Sequence, residues 1–347
     1  MTTARNSTRS GVPITVCVRY PLRANGLAGG RIVLRAEPDW LVDIEPVRVS
    51  DDGTQHDFAL TVDGSHRYFK PAWRHGERVR WAAGGNSLLL PRGRGVREVY
   101  PHFDADARCS ECELKELADL NGRSHRYRAF YPAGYAENPL RRYPVLYMQD
   151  GQNLFFPGEA FGGNHWRVAE TLRVLEAMNA IEPVIVVGIY PQAREHDYTR
   201  PGYEDYGRFV TEVLKPAVDA EYRTLTGPRH TAVMGSSLGG VVSLYLAWQY
   251  PDVFGMAACL SSTFGWRDDL RERIASEPRR KLRLYLDSGW PRDNYEATRD
   301  MHGVLARRGY RPGRDLHYLS FPEAVHDERH WAMRAHIPFQ YFFGQGT

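Results

Sequence analysis

Thr231-Ala232-Val233-Met234-Gly235-Ser236-Ser237-Leu238-Gly239-Gly240 is the stretch on which the reading of this chain turns. A short strand-like run leads into Gly235-Ser236-Ser237-Leu238-Gly239, a G-x-S-x-G match, and a helical pattern over 238–249 follows. The flanking glycines carry no Cβ that would clash in so tight a turn, and the serine is pushed clear of the strand end. Ser237 then stands at a helix N-terminus. There the Leu238 N–H has no intrahelical acceptor and can donate to a developing oxyanion. An ordinary Gly/Ser loop is the plain alternative, and the strand–turn–helix context disfavours it.

Outward from that turn, apolar runs at 127–130, 144–148, 184–189, 256–260, 282–286 and 317–321 alternate with helical patterns. The helical patterns cover 166–178, 206–222, 295–307 and 329–342. Continuous rather than alternating hydrophobicity marks strands buried on both faces, so a mostly parallel sheet with helices on either side is expected. Before residue 100 the pattern changes to short alternating runs at 14–20, 31–35, 57–62, 66–73, 79–81 and 87–90, punctuated by Asp51-Asp52-Gly53 and Asp63-Gly64. The predicted fold class is therefore α/β: an α/β-hydrolase fold with a smaller N-terminal β-sandwich. The expected organisation is a sandwich over 1–105, a polar and partly helical connector over 106–124, and a catalytic domain over 125–347. That connector is neither long nor Gly/Ser-rich, so the sandwich is expected to pack at the mouth of the active site and shape its pocket.

A serine hydroxyl needs a base to take its proton, and in this fold the chain order is Ser, acid, His. His326 ends Phe321-Pro322-Glu323-Ala324-Val325-His326, just past the last strand-like run; His330 is the alternative but falls inside a helical pattern. The acid should follow the run 282–286, where Asp287 and Asp293 both qualify by position. A second oxyanion donor is expected after the run 144–148, in Gln149-Asp150-Gly151-Gln152-Asn153. Gly151 permits a sharp turn there, and the Gln152 N–H is the candidate.

Composition bounds the partners. With 42% apolar residues in 347 the chain can build a sizeable core, and a net charge of +3 gives no strongly basic footprint. Only four of the 45 basic residues are lysine, a bias that Arg-favouring codon usage explains without a nucleic-acid partner. No apolar run reaches the roughly 18 residues of a membrane span, and no secretory signal is visible, so a cytoplasmic protein is expected. Cys109-Ser110-Glu111-Cys112 is a lone C-x-x-C; His102 or His125 could add ligands, but no second pair stands at zinc spacing. No metal and no organic cofactor is expected.

At these residues the sequence resembles the esterase family that includes enterochelin (ferric siderophore) esterases, feruloyl esterases, S-formylglutathione hydrolases and mycolyltransferases. The resemblance covers about 123–343. It rests on Tyr143-Pro144-Val145-Leu146-Tyr147-Met148-Gln149-Asp150-Gly151-Gln152-Asn153-Leu154-Phe155, Phe161-Gly162-Gly163-Asn164-His165-Trp166, Gly235-Ser236-Ser237-Leu238-Gly239-Gly240 and His326-Asp327-Glu328-Arg329-His330-Trp331, in that order. It implies a Ser237–Asp293–His326 triad, with Asp287 as support for Asp293. It makes Asp150, His165, Trp166, Arg194 and Tyr198 the substrate-binding candidates; a surface Arg–Asp pair is the plain alternative for Arg194. The implied activity is that of a serine carboxylic-ester hydrolase on a small-molecule or sugar ester. Acyl transfer, or a feruloyl- or acetyl-type carbohydrate esterase with a carbohydrate-binding-like N-terminal domain around Tyr68 and Trp81, is the alternative. A vestigial, purely binding protein fits the complete set of groups poorly, and a homo-oligomer is compatible with the sequence.

Overall fold

The computed structural model describes residues 11–91, 95–111 and 113–345. Among them, Val145–Met148, Ile185–Tyr190, Thr231–Ser236, Met256–Leu260, Arg283–Trp290 and Leu316–Pro322 run parallel through the centre of a nine-stranded sheet. Ser124–Tyr131 lies antiparallel beside Ile185–Tyr190 and makes that edge mixed. Successive side chains on a strand face opposite ways. Val145 and Tyr147 therefore enter one apolar cluster, with the helices Leu238–Gln249 and Tyr295–Arg307. Leu146 and Met148 enter the other, with Val168–Ala177 and His336–Phe343. Both faces are covered, which is why these strands read as unbroken apolar runs.

Two helices differ from expectation. The pattern at 206–222 begins earlier, as Gly202–Arg208, and continues through a π-helical stretch, Phe209–Leu214, into Lys215–Glu221. The pattern at 329–342 is divided into Glu328–Arg334 and His336–Phe343. Pro338 accounts for the division: it has no N–H to give the Arg334 carbonyl, and its ring crowds that group.

Before residue 100 the described strands form two sheets. Val12–Arg19, Arg48–Val49, Gln55–Val62 and Val96–Val99 make one; Arg31–Ala36, Asp39–Ile44, Arg67–His75, Arg78–Trp81 and Ser87–Leu89 make the other. Val16, Val18, Phe58 and Leu60 of the first share a cluster with Ile32, Leu34 and Phe69 of the second.

The connector is not partly helical, as expected, but is woven into the large sheet. Ser110–Glu111 and Lys115–Ala118 both pair antiparallel with Ser124–Tyr131. Asp119 closes the intervening turn, its carboxylate accepting from the N–H groups of Asn121 and Arg123 at 2.8 and 2.9 Å and from the Arg123 guanidinium. Cys109 is a free thiol, and Cys112 of the C-x-x-C lies outside the described residues.

The expected place of the N-terminal sheets at the active-site mouth is overturned. Glu137 accepts hydrogen bonds from the Tyr20 hydroxyl and from the Phe103 and Asp104 N–H groups, at 2.6, 2.7 and 2.9 Å. Asn138 donates to the Arg19 and Pro101 carbonyls, and Asn179 to that of Asn86. Residues 137–138 and 179 precede Val145–Met148 and Ile185–Tyr190, so these contacts fall at the end of the sheet opposite Ser237. The cause is the connector. It enters the sheet with Ser110 and Glu111 facing Tyr131 and Phe130, at that same far end.

Candidate active site

After Val145–Met148 the sheet grows to one side, and after Thr231–Ser236 to the other. The carboxyl ends of these two neighbouring strands form the switch point at which open α/β sheets bind ligands. Ser237 follows one and Asp150 the other.

Ser237 has φ 55° and ψ −123°, a conformation that costs a non-glycine residue about 1–3 kcal/mol. It is held by its own N–H to the Leu260 carbonyl at 2.9 Å and by its carbonyl, which caps the helix start through Gly240 and Val241. The G-x-S-x-G glycines are required by close approach. A Cβ on Gly235 would stand 2.5 Å from the Gly239 carbonyl group, and one on Gly239 3.0 Å from the Gln149 Cβ; just past the motif, one on Gly240 would stand 1.9 Å from the Ser262 hydroxyl oxygen. Gly235→Ala should therefore lose about 1–3 kcal/mol in urea denaturation and, by displacing the elbow, most ester turnover. Full stability and turnover in that variant would remove the steric argument.

Asp293 and His326 follow the two strands beyond Met256–Leu260 on the same sheet, both at carboxyl ends. They meet: His326 Nδ1 lies 2.7 Å from Asp293 Oδ1. The second oxygen, Oδ2, accepts from the Ser261 hydroxyl at 2.5 Å and the Gly289 N–H at 2.8 Å. Burial pushes the Asp293 carboxyl up, but the bonds from His326, Ser261 and Gly289 outweigh it and hold it below its ordinary value. His330, the alternative base, instead turns its Nδ1 to Asp327 at 2.8 Å, within a capped helix start.

Asp287 is a different carboxylate. The strand runs on past 286 to Trp290, so Asp287 is an interior, fully buried residue opposite Leu260 and Leu319. It accepts from the Tyr285 hydroxyl at 2.7 Å and from Arg334 Nε at 3.1 Å. Burial pushes its pKa up to about 6, against the lowering by Arg334. Buried Arg334 also donates to the Ser261 hydroxyl oxygen at 2.6 Å, to which Trp331 Nε1 donates at 2.9 Å. Ser261 thus accepts two bonds and gives its one proton to Asp293, which uses its full capacity. Sequence reading missed Ser261 and Arg334. The available signal was Arg334 three residues after Trp331 on the face of a helix that otherwise packs on the core.

The second loop is stiff. Asp150 sits at φ 57° and opens the short 3₁₀ turn Gly151–Asn153. As the second residue of that turn, Gln152 has no acceptor within it for its N–H. Arg194 grips both Asp150 oxygens at 2.7 and 2.8 Å; the Asp150 N–H donates to the Tyr198 hydroxyl; the Tyr206 hydroxyl donates to Gln149 Oε1. Asp150, Tyr198 and Trp166 are buried, and their contacts support the loop from beneath. Trp166 packs on Trp331, 5.9 Å between centroids. His165 turns towards Glu170 at 3.6 Å, and Arg194 remains partly exposed at the loop. Among the described residues no group of three or more His, Cys, Asp or Glu could hold a metal ion.

The family model described as "Putative esterase" matches residues 121–334. The chain belongs to this esterase family. It is a carboxylic-ester hydrolase by that membership. Ferri-bacillibactin esterase BesA of Bacillus subtilis (strain 168) is 23% identical over 183 residues, covering 44% of this chain and 59% of BesA. Among solved structures, the enterobactin esterase FES from Shigella flexneri with enterobactin matches at TM-score 0.56 and 16% identity, over 97% of this chain and 94% of FES. A ferulic acid esterase matches at TM-score 0.58 and 16% identity, over 68% of this chain and 98% of its own. These likenesses establish an α/β-hydrolase-type fold. Among the described residues no helix is long and apolar enough to cross a membrane.

Proposed function

We propose that the chain is a serine esterase that works through an acyl-enzyme on an ester of an aromatic acid. Ser237 Oγ attacks the ester carbonyl while its proton passes to His326 Nε2, the ring nitrogen left free by the Asp293 contact. The Leu238 and Gln152 N–H groups hold the oxyanion. His326 then protonates the departing alcohol, and water repeats the sequence to release the acid. The observation that carries the reading is the 2.7 Å Asp293–His326 contact, made at the strand ends that also present Ser237. It orients the imidazole and favours the imidazolium formed in the transition state.

The aromatic preference rests on exposed rings beside these loops. Phe161 donates its N–H to Asn153 at 2.9 Å, Trp290 stands three residues before Asp293, and Trp266 is tied to Thr263, whose N–H reaches the Ser237 carbonyl. The name of the ferulic acid esterase agrees with it. The described residues up to about 105 are read as a separate β-sandwich domain, supported by the cluster common to both small sheets and by the likeness to FES over 97% of this chain. A cytoplasmic setting suits the free thiols of Cys17, Cys109 and Cys259. A carbohydrate esterase is the second reading, favoured by the partly exposed Tyr68 and Trp81, either of which can stack on a sugar.

Labelling with a fluorophosphonate probe and a panel of aryl, siderophore, feruloyl-sugar and acetyl-sugar esters test both. We expect one labelled serine, Ser237, and kcat/KM at least ~10-fold higher for aromatic than for acetyl esters, a discrimination of ~1.4 kcal/mol. No labelling would sink the serine mechanism; a preference for acetyl-sugars would replace the substrate class.

A further inference from the structure

At the end of the sheet away from Ser237, a cleft of about 1090 Å³ lies between the strand Val96–Val99 and the loops that lead into the central strands. Arg97, Arg141, Arg142, Arg229, Lys281 and Arg283 line it. Among the described residues none of these six forms an ion pair, whereas Arg279 and Arg314, also in the lining, share Asp315. Eight Arg and Lys side chains face three carboxylates here, a surplus larger than the net charge of +3 of the whole chain. The excess is therefore local, and codon bias, which would scatter arginine over every surface, does not account for it.

Cations crowded into a concave site repel one another unless an anion fills it, and low-dielectric walls strengthen the field they create. Three of the six cations approach from different loops: Arg141 before Val145–Met148, Arg229 before Thr231–Ser236, Lys281 before Arg283–Trp290. Arg97 faces them from the N-terminal sheets. A ligand with a single charge would leave most of them unmatched. Several phosphates in a row present an acceptor to each wall, and guanidinium forks bind phosphate oxygens in pairs.

We propose that this cleft binds a small oligophosphate, inorganic or carried by a nucleoside, which bridges the N-terminal sheets to the hydrolase sheet. The site is independent of the ester chemistry. Cations on opposing walls of a concave cleft suit a compact ligand rather than the extended backbone of a nucleic acid.

Calorimetric titration of the full chain with inorganic tripolyphosphate, with ATP and with a single-stranded RNA oligomer tests this at about 50 mM and about 250 mM NaCl. We expect saturable 1:1 binding of tripolyphosphate or ATP, at least ~10-fold weaker at the higher salt, and a thermal midpoint that rises with ligand. Tighter binding of ATP assigns the nucleotide form, and the reverse assigns free polyphosphate. R229E/K281E should weaken binding at least ~10-fold, while R23E/R48E, on exposed positions outside the cleft, should leave it unchanged. Turnover of p-nitrophenyl acetate without ligand should be the same in both variants. If R229E/K281E does not fold, R229Q alone should still weaken binding measurably. Failure of both phosphates to saturate, equal affinity in the cleft variants, or binding of the RNA alone would overturn the proposal.

Discussion

Ser237→Ala should leave a folded protein whose kcat on p-nitrophenyl acetate is lower by about 10⁴–10⁶, because triad members act as a unit and the oxyanion donors alone retain only a remnant. Stability should move the other way in a companion variant. Ser237 is held at φ 55° by the Leu260 carbonyl behind it and the Leu238–Gln249 helix ahead of it. Glycine meets no Cβ penalty there, so Ser237→Gly should be as inactive as the alanine variant yet more stable than the parent, by up to about 1–3 kcal/mol. Glycine's larger unfolded-state entropy offsets part of that gain, which fixes the comparison to make: urea midpoints of Ser237→Gly and Ser237→Ala. A glycine variant no more stable than the alanine one would mean that the elbow stores no strain. Retained turnover in either would remove Ser237 from its role.

Much of this site was legible because its parts are local. The elbow is a contiguous strand–turn–helix word, and the apolar runs of the central strands have a period set by burial on both faces. Chain order, together with the helical pattern around His330, singled out His326, which the structure brings to Asp293. The residues that were missed act across the sheet. Ser261 follows one strand and Arg334 lies in a helix near the C-terminus, yet their side chains meet each other and the anticipated Asp287, from a third element, in one buried network. Nothing in the local pattern of Cys259-Leu260-Ser261-Ser262-Thr263 marks the first of these serines as the one that anchors Asp293. The connector was misread for a related reason: Ser110–Glu111 and Lys115–Ala118 are too short and too polar to register as strands until Ser124–Tyr131 supplies their partner. That pairing also carries the N-terminal sheets to the far end of the molecule, a consequence of topology that composition does not contain.

The two carboxylates near the base should separate cleanly. Asp293→Asn leaves the His326 ring facing an amide that can present a donor, favours the wrong tautomer and cannot stabilise the imidazolium; a fall of about 10⁴ in kcat with little change in KM is expected. Asp287→Asn removes no group that touches His326. It replaces the buried partner of Arg334, which keeps its bonds to Ser261 and Asp293, so the expected loss is about 1–3 kcal/mol of stability with kcat within about tenfold of the parent. The pH dependence gives a second test. Burial holds Asp287 at about 6, above the roughly 3.9 of an unfolded aspartate, so the folded state binds its proton more tightly. This contribution to stability is full below the unfolded pKa and is lost as pH rises through about 6. The asparagine variant lacks it, so its deficit relative to the parent should be larger at pH 5 than at pH 7.5. Asp293 is shifted downward and has the opposite sign: its contribution is full above the unfolded pKa of about 3.9 and fades only below it, so the deficit of Asp293→Asn should be the same at pH 5 and pH 7.5. Urea midpoints of both variants at the two pH values, beside steady-state kinetics, decide the matter. If Asp287→Asn proves the catalytically damaging change while its fold survives, the roles assigned here to the two carboxylates are reversed.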